Sequence, residues 1–363
     1  LSAVGFSSSD WGDYDNDGDL DLVVTGFDGS NETAAIYRND GGGTFTDISA
    51  SLTGVSFSSS AWGDYDGDGD LDLVVTGFDA SSNQTATIYR NDGGGTFTDI
   101  GAGLAGVERG SSAWGDYDGD GDLDLLITGR EDVYSPTATI YENDVENGNG
   151  FSPIGAGLTG VQGGSSGEWG DYDADGDLDL VVTGIGSSFP TATIYRNDGG
   201  GTFTDISAGL TDVQQSSSAW GDYDGDGDLD LVVTGFDGSS VPTAAIYRND
   251  GGGTFTDIGA GLEGVGGNST SGEWGDYDGD GDLDLVVTGD AGADPSATIY
   301  RNEGGGTFTP IGAGLTGVQD GSSGAWGDYD GDGDLDLVVT GRDASVNETA
   351  TIYENAAPPS IAV

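Results

Sequence analysis

Seven times along this 363-residue chain the same acidic phrase recurs. Its second copy reads Asp64-Tyr65-Asp66-Gly67-Asp68-Gly69-Asp70-Leu71-Asp72, with Asp at every odd position and Gly at position six. That pattern is suited to a hard cation. Ca²⁺ takes roughly six to eight oxygen ligands, and a glycine at the sharp turn lets a short loop aim them inward. Carboxylates at positions one, three, five and nine, with the backbone carbonyl of position seven, would supply them. Five like charges in nine residues also repel one another unless a cation lies between them. Mg²⁺ fits less well, because it prefers small octahedral sites that keep several waters.

The candidate ligands are therefore Asp13, Asp15, Asp17, Asp19 and Asp21; Asp64, Asp66, Asp68, Asp70 and Asp72; Asp116, Asp118, Asp120, Asp122 and Asp124; Asp171, Asp173, Asp175, Asp177 and Asp179; Asp222, Asp224, Asp226, Asp228 and Asp230; Asp276, Asp278, Asp280, Asp282 and Asp284; and Asp328, Asp330, Asp332, Asp334 and Asp336. About seven Ca²⁺, one per repeat, are the expected cofactors. Position four varies (Asn16, Ala174, otherwise Gly), as expected of a residue with no ligand role. A solvated acidic turn is the plain alternative, and seven copies in one register argue against it.

The elements that must hold these loops are short strands. Each phrase opens on a Trp, at 11, 62, 114, 169, 220, 274 and 326, so the repeat is 51–55 residues long. Serines and Trp-Gly form strand one. Leu-Asp-Leu-Val-Val-Thr-Gly forms strand two, whose unbroken apolar run suits burial on both faces. Thr-Ala-Thr-Ile-Tyr-Arg-Asn forms strand three, and Gly-Thr-Phe-Thr-Asp-Ile forms strand four beyond an Asn-Asp-Gly-Gly turn. No segment carries a helical period. Four-stranded units repeated around an axis describe an all-β, seven-bladed β-propeller with antiparallel blades and a calcium loop between strands one and two. A linear solenoid is the alternative, although its repeats are usually shorter, about 20–45 residues. The Trp side chains are expected in the blade cores, and Arg38, Arg90, Arg196, Arg248 and Arg301 in weak ion pairs.

Composition narrows the chemistry. Sixty-five acids stand against eight basic residues, all Arg, for a formal charge of −57, which disfavours nucleic acid and anionic membranes as partners. His, Cys and Lys are absent, which removes most nucleophiles, general bases and transition-metal ligands. Paired carboxylates could cleave glycans, but no such pair stands apart from the repeat by sequence. No catalytic residue is assigned, and the expectation is a protein that is not an enzyme. No apolar run is long enough for a helical membrane span.

The unit resembles the FG-GAP repeats, also called VCBS repeats, of integrin α-subunit propellers and bacterial surface proteins. Trp62-Gly63 stands in place of the family's Phe-Gly and Val75-Thr76-Gly77 in place of its Gly-Ala-Pro, with the acidic loop between them. The resemblance implies a seven-bladed propeller over residues 1–355 with calcium between strands one and two. Residues 356–363 resemble a linker or the start of a following module.

Divergence among the repeats concentrates in the loops between strands two and three and in the connectors from strand four to the next strand one. Both belong to one face, the candidate partner-binding face, with Glu108, Arg109, Arg130, Tyr134, Gln162, Phe189, Gln214 and Gln215 as candidate contacts; drift in unconstrained loops is the plain reading. Sequons at Asn31, Asn83, Asn268 and Asn347 are possible glycosylation sites on that face. Leu1–Val4 matches the connector Leu52–Val55, and the last repeat stops after strand three. The missing fourth strand is expected from residues preceding Leu1 in a longer chain, from Ser360–Val363, or from a neighbouring molecule. The expected function is an extracellular, secreted or cell-surface adhesion or ligand-binding module with structural calcium, taking a protein or glycan ligand. The alternative is a structural subunit of an extracellular filament or coat, assembling through the open seventh blade.

Overall fold

The computed structural model describes residues 1–132, 135–145, 148–292 and 294–355; Tyr134 and the 356–363 tail lie outside them. Among the described residues every regular element is a strand. The chain forms one eight-stranded, four four-stranded and one three-stranded antiparallel sheet. The eight-stranded sheet is two repeats joined by the single pairing of Thr33 with Val55. In the first repeat the strands are Gly5–Gly12, Asp21–Phe27, Glu32–Asn39 and Phe45–Asp47, paired in sequence order.

Strand two behaves as its composition requires: its first six residues are buried in every repeat. Alternate side chains serve opposite neighbours. Leu73 and Val75 join Val23 and Ile36 of the preceding repeat, whereas Val74 joins Leu125 and Ile127 of the following one. The hydrophobic core is thus a series of layers between sheets. Burying both faces of one strand in this way is what a run without polar alternation permits.

An aromatic trio fills all but one of these layers, the exception holding only the pair Tyr277 and Trp326. Tyr14 stacks on Trp62 of the next repeat at 6.3 Å between centroids, and Phe97 tilts against both at 5.7 and 6.0 Å. Each indole N–H donates to the carbonyl of the residue that precedes the previous Trp, as Trp62 Nε1 does to Asp10 O at 3.3 Å. The glycine after each Trp has no room for a side chain: a Cβ on Gly63 would lie 2.6 Å from Cδ1 of Trp114. The Trp-Gly pair is therefore a unit-to-unit joint, and the expected core role of the Trp residues holds.

The same joint links the two ends of the sequence. Trp11 Nε1 donates to Ala325 O at 3.2 Å, Ser7 Oγ donates to Gly321 O at 2.9 Å, and Val4 bridges to Thr349. Strand one of every repeat lines a common channel of about 300 Å³. Because consecutive strands are antiparallel neighbours, the acidic loops and the strand three-to-four turns emerge at one end of the sheets, and the diverged loops at the other.

Candidate metal loops and the channel between them

Each acidic loop is wound by its own carboxylates. In the second repeat Asp64 accepts the N–H groups of Asp68 and Gly69 at 3.1 and 3.0 Å, and Asp68 accepts that of Asp70 at 3.0 Å. Position four lies in the left-handed region, with φ of 70° at Gly67, 58° at Asn16 and 57° at Ala174, so backbone conformation limits its variation. Asn16 also reaches the next loop, donating to Gly69 O and to Asp70 Oδ1 at 3.2 and 2.9 Å.

Position nine opens strand two, as its place in the sequence suggests, and is fully buried there. Asp72 Oδ1 accepts the N–H of Asn91 at 2.8 Å and Oδ2 that of Tyr65 at 3.2 Å. This Asp fastens the loop to strand three as well as facing the acidic cluster. Burial pushes its carboxyl up to about 7; the two N–H donors oppose that rise and the neighbouring Asp66 charge adds to it. Carboxylate oxygens of Asp64, Asp66 and Asp72 lie within 4.8 Å of one another, and corresponding trios occur at Asp116/Asp118/Asp124 and Asp171/Asp173/Asp179. In the first and fifth repeats the trios are Asp13/Asp15/Asp17 and Asp222/Asp224/Asp226. Asp66 Oδ1 is buried without a hydrogen-bond partner. An orphaned acceptor beside two more carboxylates fits a hard divalent cation, so the residues present suit the ion that the sequence implies.

Strand three contributes a residue that sequence reasoning passed over. Asn91 Nδ2 donates to Tyr14 O of the preceding loop at 2.8 Å and to Leu71 O of its own at 3.2 Å. All seven repeats carry this Asn, and Asn39 makes the corresponding bond to Tyr329 O across the chain's ends at 2.6 Å. Its recurrence after Tyr-Arg or Tyr-Glu was the available signal. The preceding Arg behaves as expected, pairing with an acid two residues on, as Arg90 does with Asp92 at 2.6 Å; both partners are well exposed.

The channel holds a second acidic group. Its wall is mostly serine hydroxyls, but the residue before each Trp is Ala in four repeats and acidic in three: Asp10, Glu168 and Glu273. Burial raises Asp10 to about 6 and Glu168 to about 7. Burial also raises Glu273 well above the usual range, reinforced by the charges of Glu168 and Asp10. These carboxylates stand outside the acidic loops, at the repeat position that precedes each Trp.

At the opposite end, strand one of most repeats carries a register shift after its first residues. Phe6, Phe57, Gln215 and Asp320 sit there with φ between 49° and 53°, and Arg109, just ahead of the shorter strand one of the third repeat, has φ 53°. A bulge of this kind re-aims its side chain. Phe6 stacks on Phe57 at 4.3 Å, with the Arg342 and Arg109 guanidinium carbons 4.2 and 3.8 Å from the two ring centroids. Arg109 and Gln215 both donate to Asn268 Oδ1, whose amide donates to Asp320 at 2.6 Å. Among the candidate partner contacts, Phe189 is 79% exposed, and Gln162 and Gln214 are half-buried. Glu108 is fully buried and spends one oxygen on Arg130, so it belongs to the frame beneath that face. Asn31, Asn83 and Asn347 are exposed, although the amides of Asn83 and Asn347 donate to Asp79 and Asp343, whereas Asn268 is half-buried with its amide on Asp320.

No curated protein matches this sequence. Among solved structures, an Agrocybe aegerita lectin described as recognising non-reducing terminal N-acetylglucosamine is 20% identical, with 85% of this chain and 80% of that one covered at a TM-score of 0.53. An Aleuria aurantia lectin is 10% identical over 86% of this chain and 95% of that one, at 0.49. A V. cholerae biofilm matrix protein is 16% identical over 97% and 59%, at 0.40. At 20% identity the likeness to the first of these is one of fold, a repeat β-propeller. The FG-GAP-like repeat matches in six overlapping spans, residues 13–75, 64–127, 116–182, 171–233, 222–287 and 276–339, each running from one acidic loop into the next repeat's strand two. The chain belongs to the FG-GAP-like repeat family.

Proposed function

We propose that residues 1–355 form one seven-bladed propeller, stiffened by about seven Ca²⁺, that works outside the cell as a binding module for a glycan or protein. The metal ligands are the loop carboxylates at positions one, three, five and nine with the position-seven carbonyl. Bound calcium neutralises charge inside each loop and thereby holds strands one, two and three together. Extracellular calcium modules commonly bind at about 10⁻⁴–10⁻³ M, which places such loops in their filled state outside cells.

The observation that carries the binding reading is one backbone position with different side chains. The acidic loops are near-identical around one face, while the positive-φ position two residues after each connector Val holds Phe6, Phe57, Arg109, Gly163, Gln215, Gly267 and Asp320 in succession on the other. A face diverged in this way can recognise an asymmetric ligand. Exposed Phe189, Val241 and Val346 lie on loops of the same face. The chain is read as a binder because the loop acids are committed to metal and no His, Cys or Lys is available. Glycosylation at Asn31, Asn83 and Asn347 is compatible with their exposure.

The test is a glycan and protein array probed in calcium with the chain and with its Phe189→Ser and Arg109→Ala variants. Retention of a ligand by the parent and its loss in a variant supports the assignment; no retained ligand refutes it. The structural-subunit reading is the alternative that ordered polymers in light scattering would select.

A further inference from the structure

The acidic loops do not stand alone: one amide side chain per repeat joins each loop to its neighbour. In the second repeat Asn91 is 2% exposed, and every polar atom of its side chain is engaged. Its Nδ2 donates across the boundary to Tyr14 O of the first loop at 2.8 Å, and to Leu71 O of its own loop at 3.2 Å. Its Oδ1 accepts the N–H of Gly93 at 3.0 Å, which fixes the plane of the amide, and its backbone N–H holds Asp72 Oδ1 at 2.8 Å.

Both carbonyl acceptors adjoin metal-ligand positions. Tyr14 stands between positions one and three of the first loop, so the peptide that Asn91 holds leads directly into Asp15. Leu71 stands between positions seven and nine of the second loop, and its peptide leads directly into Asp72. One side chain therefore aims a carboxylate in each of two loops. The bond to the neighbouring loop recurs in all seven repeats at 2.6–2.8 Å, and the bond to the own loop in six of them at 3.0–3.2 Å. A second contact runs alongside. The Tyr14 ring stacks on Trp62, two residues before Asp64 at position one of the second loop. Such stacks recur at every boundary with centroids 6.1–6.4 Å apart, including that of Tyr329 on Trp11.

We propose that these links make calcium binding cooperative between neighbouring loops, a proposal that rests on the loops being calcium sites. An ion that fixes Asp13, Asp15 and Asp17 also fixes the Tyr14–Asp15 peptide among them, and Asn91 then meets an acceptor already in place. The Leu71–Asp72 peptide of the second loop is thereby ordered before its own ion arrives, and a site with less left to order binds more tightly. By reciprocity the second ion favours the first to the same degree. Plain electrostatics acts in the opposite sense, because each bound ion lessens the negative charge that attracts the next, and neighbouring ions repel. Filling steeper than that of independent sites is thus the signature of the link. The Asn is a positioning residue, since it touches no ion itself. Coupling of about fivefold between neighbours along a ring of sites gives a Hill coefficient of about two.

The experiment counts calcium bound per chain against free calcium by equilibrium dialysis. It is run at about 0.15 M salt, where charges more than about 8 Å apart are largely screened. The chain is compared with an Asn91→Leu/Asn197→Leu/Asn302→Leu variant, which keeps the side-chain volume and the backbone N–H but removes three of the amides. The chain should fill with a Hill coefficient of about two, and the variant with one nearer unity while binding the same number of ions. Loss of a merely structural bond would lower the melting temperature without changing that steepness. A Hill coefficient of one or below in the chain overturns the proposal. So does undiminished steepness in the variant, which calcium folding the whole chain at once would give. If the triple variant does not fold, the unmodified chain decides. Steep filling of a chain already folded in chelator by circular dichroism supports the link, and a chain that folds only with calcium overturns it. Absence of bound calcium fails the reading of the loops as well, whereas bound calcium on independent sites fails the link alone.

Discussion

Replacing Glu168 by Gln removes one charge from the channel while keeping its volume. In the folded protein burial raises this carboxyl from 4.5 to about 7. The folded chain thus holds a proton across a window in which the unfolded chain has lost it, so stability falls as pH rises from about 4.5 to about 7. At roughly 1.4 kcal/mol per pH unit that gap is about 3 kcal/mol, and water in the channel reduces it toward about 1–2 kcal/mol. For a chain this long, 1 kcal/mol corresponds to roughly 1–2 °C in melting temperature. The Gln variant should therefore melt with the parent near pH 4.5 and about 1–4 °C above it at pH 8. Calorimetry in excess calcium at both pH values is the assay, and subtracting the parent at each pH removes the loops, which the two proteins share. The Glu168→Gln/Glu273→Gln double variant should gain more, because Glu168 is one of the charges that raise Glu273. A variant whose melting difference is the same at both pH values, or which is less stable at pH 8, would refute the burial argument.

Chelation should lower the melting temperature by roughly 10 °C, since each site at free calcium of about ten times its Kd adds about 1.4 kcal/mol; an unchanged melt removes calcium from the loops. Asp72→Ala leaves the N–H groups of Asn91 and Tyr65 without their acceptor and should cost about 2–5 kcal/mol in a denaturant melt, with one calcium fewer by elemental analysis. Asp70→Ala should retain that calcium, because its ligand is a backbone carbonyl. Gly63→Ala forces a Cβ into Trp114 and should cost about 1–3 kcal/mol, whereas the same change at the open Gly67 should leave Trp114 emission untouched.

The parts of this fold legible in the sequence are those decided within one repeat. The unbroken apolar run Leu73–Val75 announced a strand buried on both faces, and the Asp spacing placed position nine on that strand. What escaped was decided between repeats. Asn91 is an ordinary strand residue until Tyr14 O of the preceding repeat is set beside it. Glu108 falls in a diverged connector, which suggested an exposed contact, yet its burial follows from Arg130 lying directly across the bridge. Asp10, Glu168 and Glu273 are far apart in sequence and meet only at the axis, although the Ala-or-acid choice before each Trp was visible.

The joint between Trp11 and Ala325 is chemically the same as that between Trp62 and Asp10, but it spans 314 residues where the other spans 52. Closing the longer loop costs about 1.6 kcal/mol more in chain entropy, and it can form only after the intervening repeats are arranged. Identical contacts are therefore unequal in time: the seam should be the last contact made on folding and the first released under strain. Joining the ends and reopening the chain between any other two repeats should move that weak point with the cut.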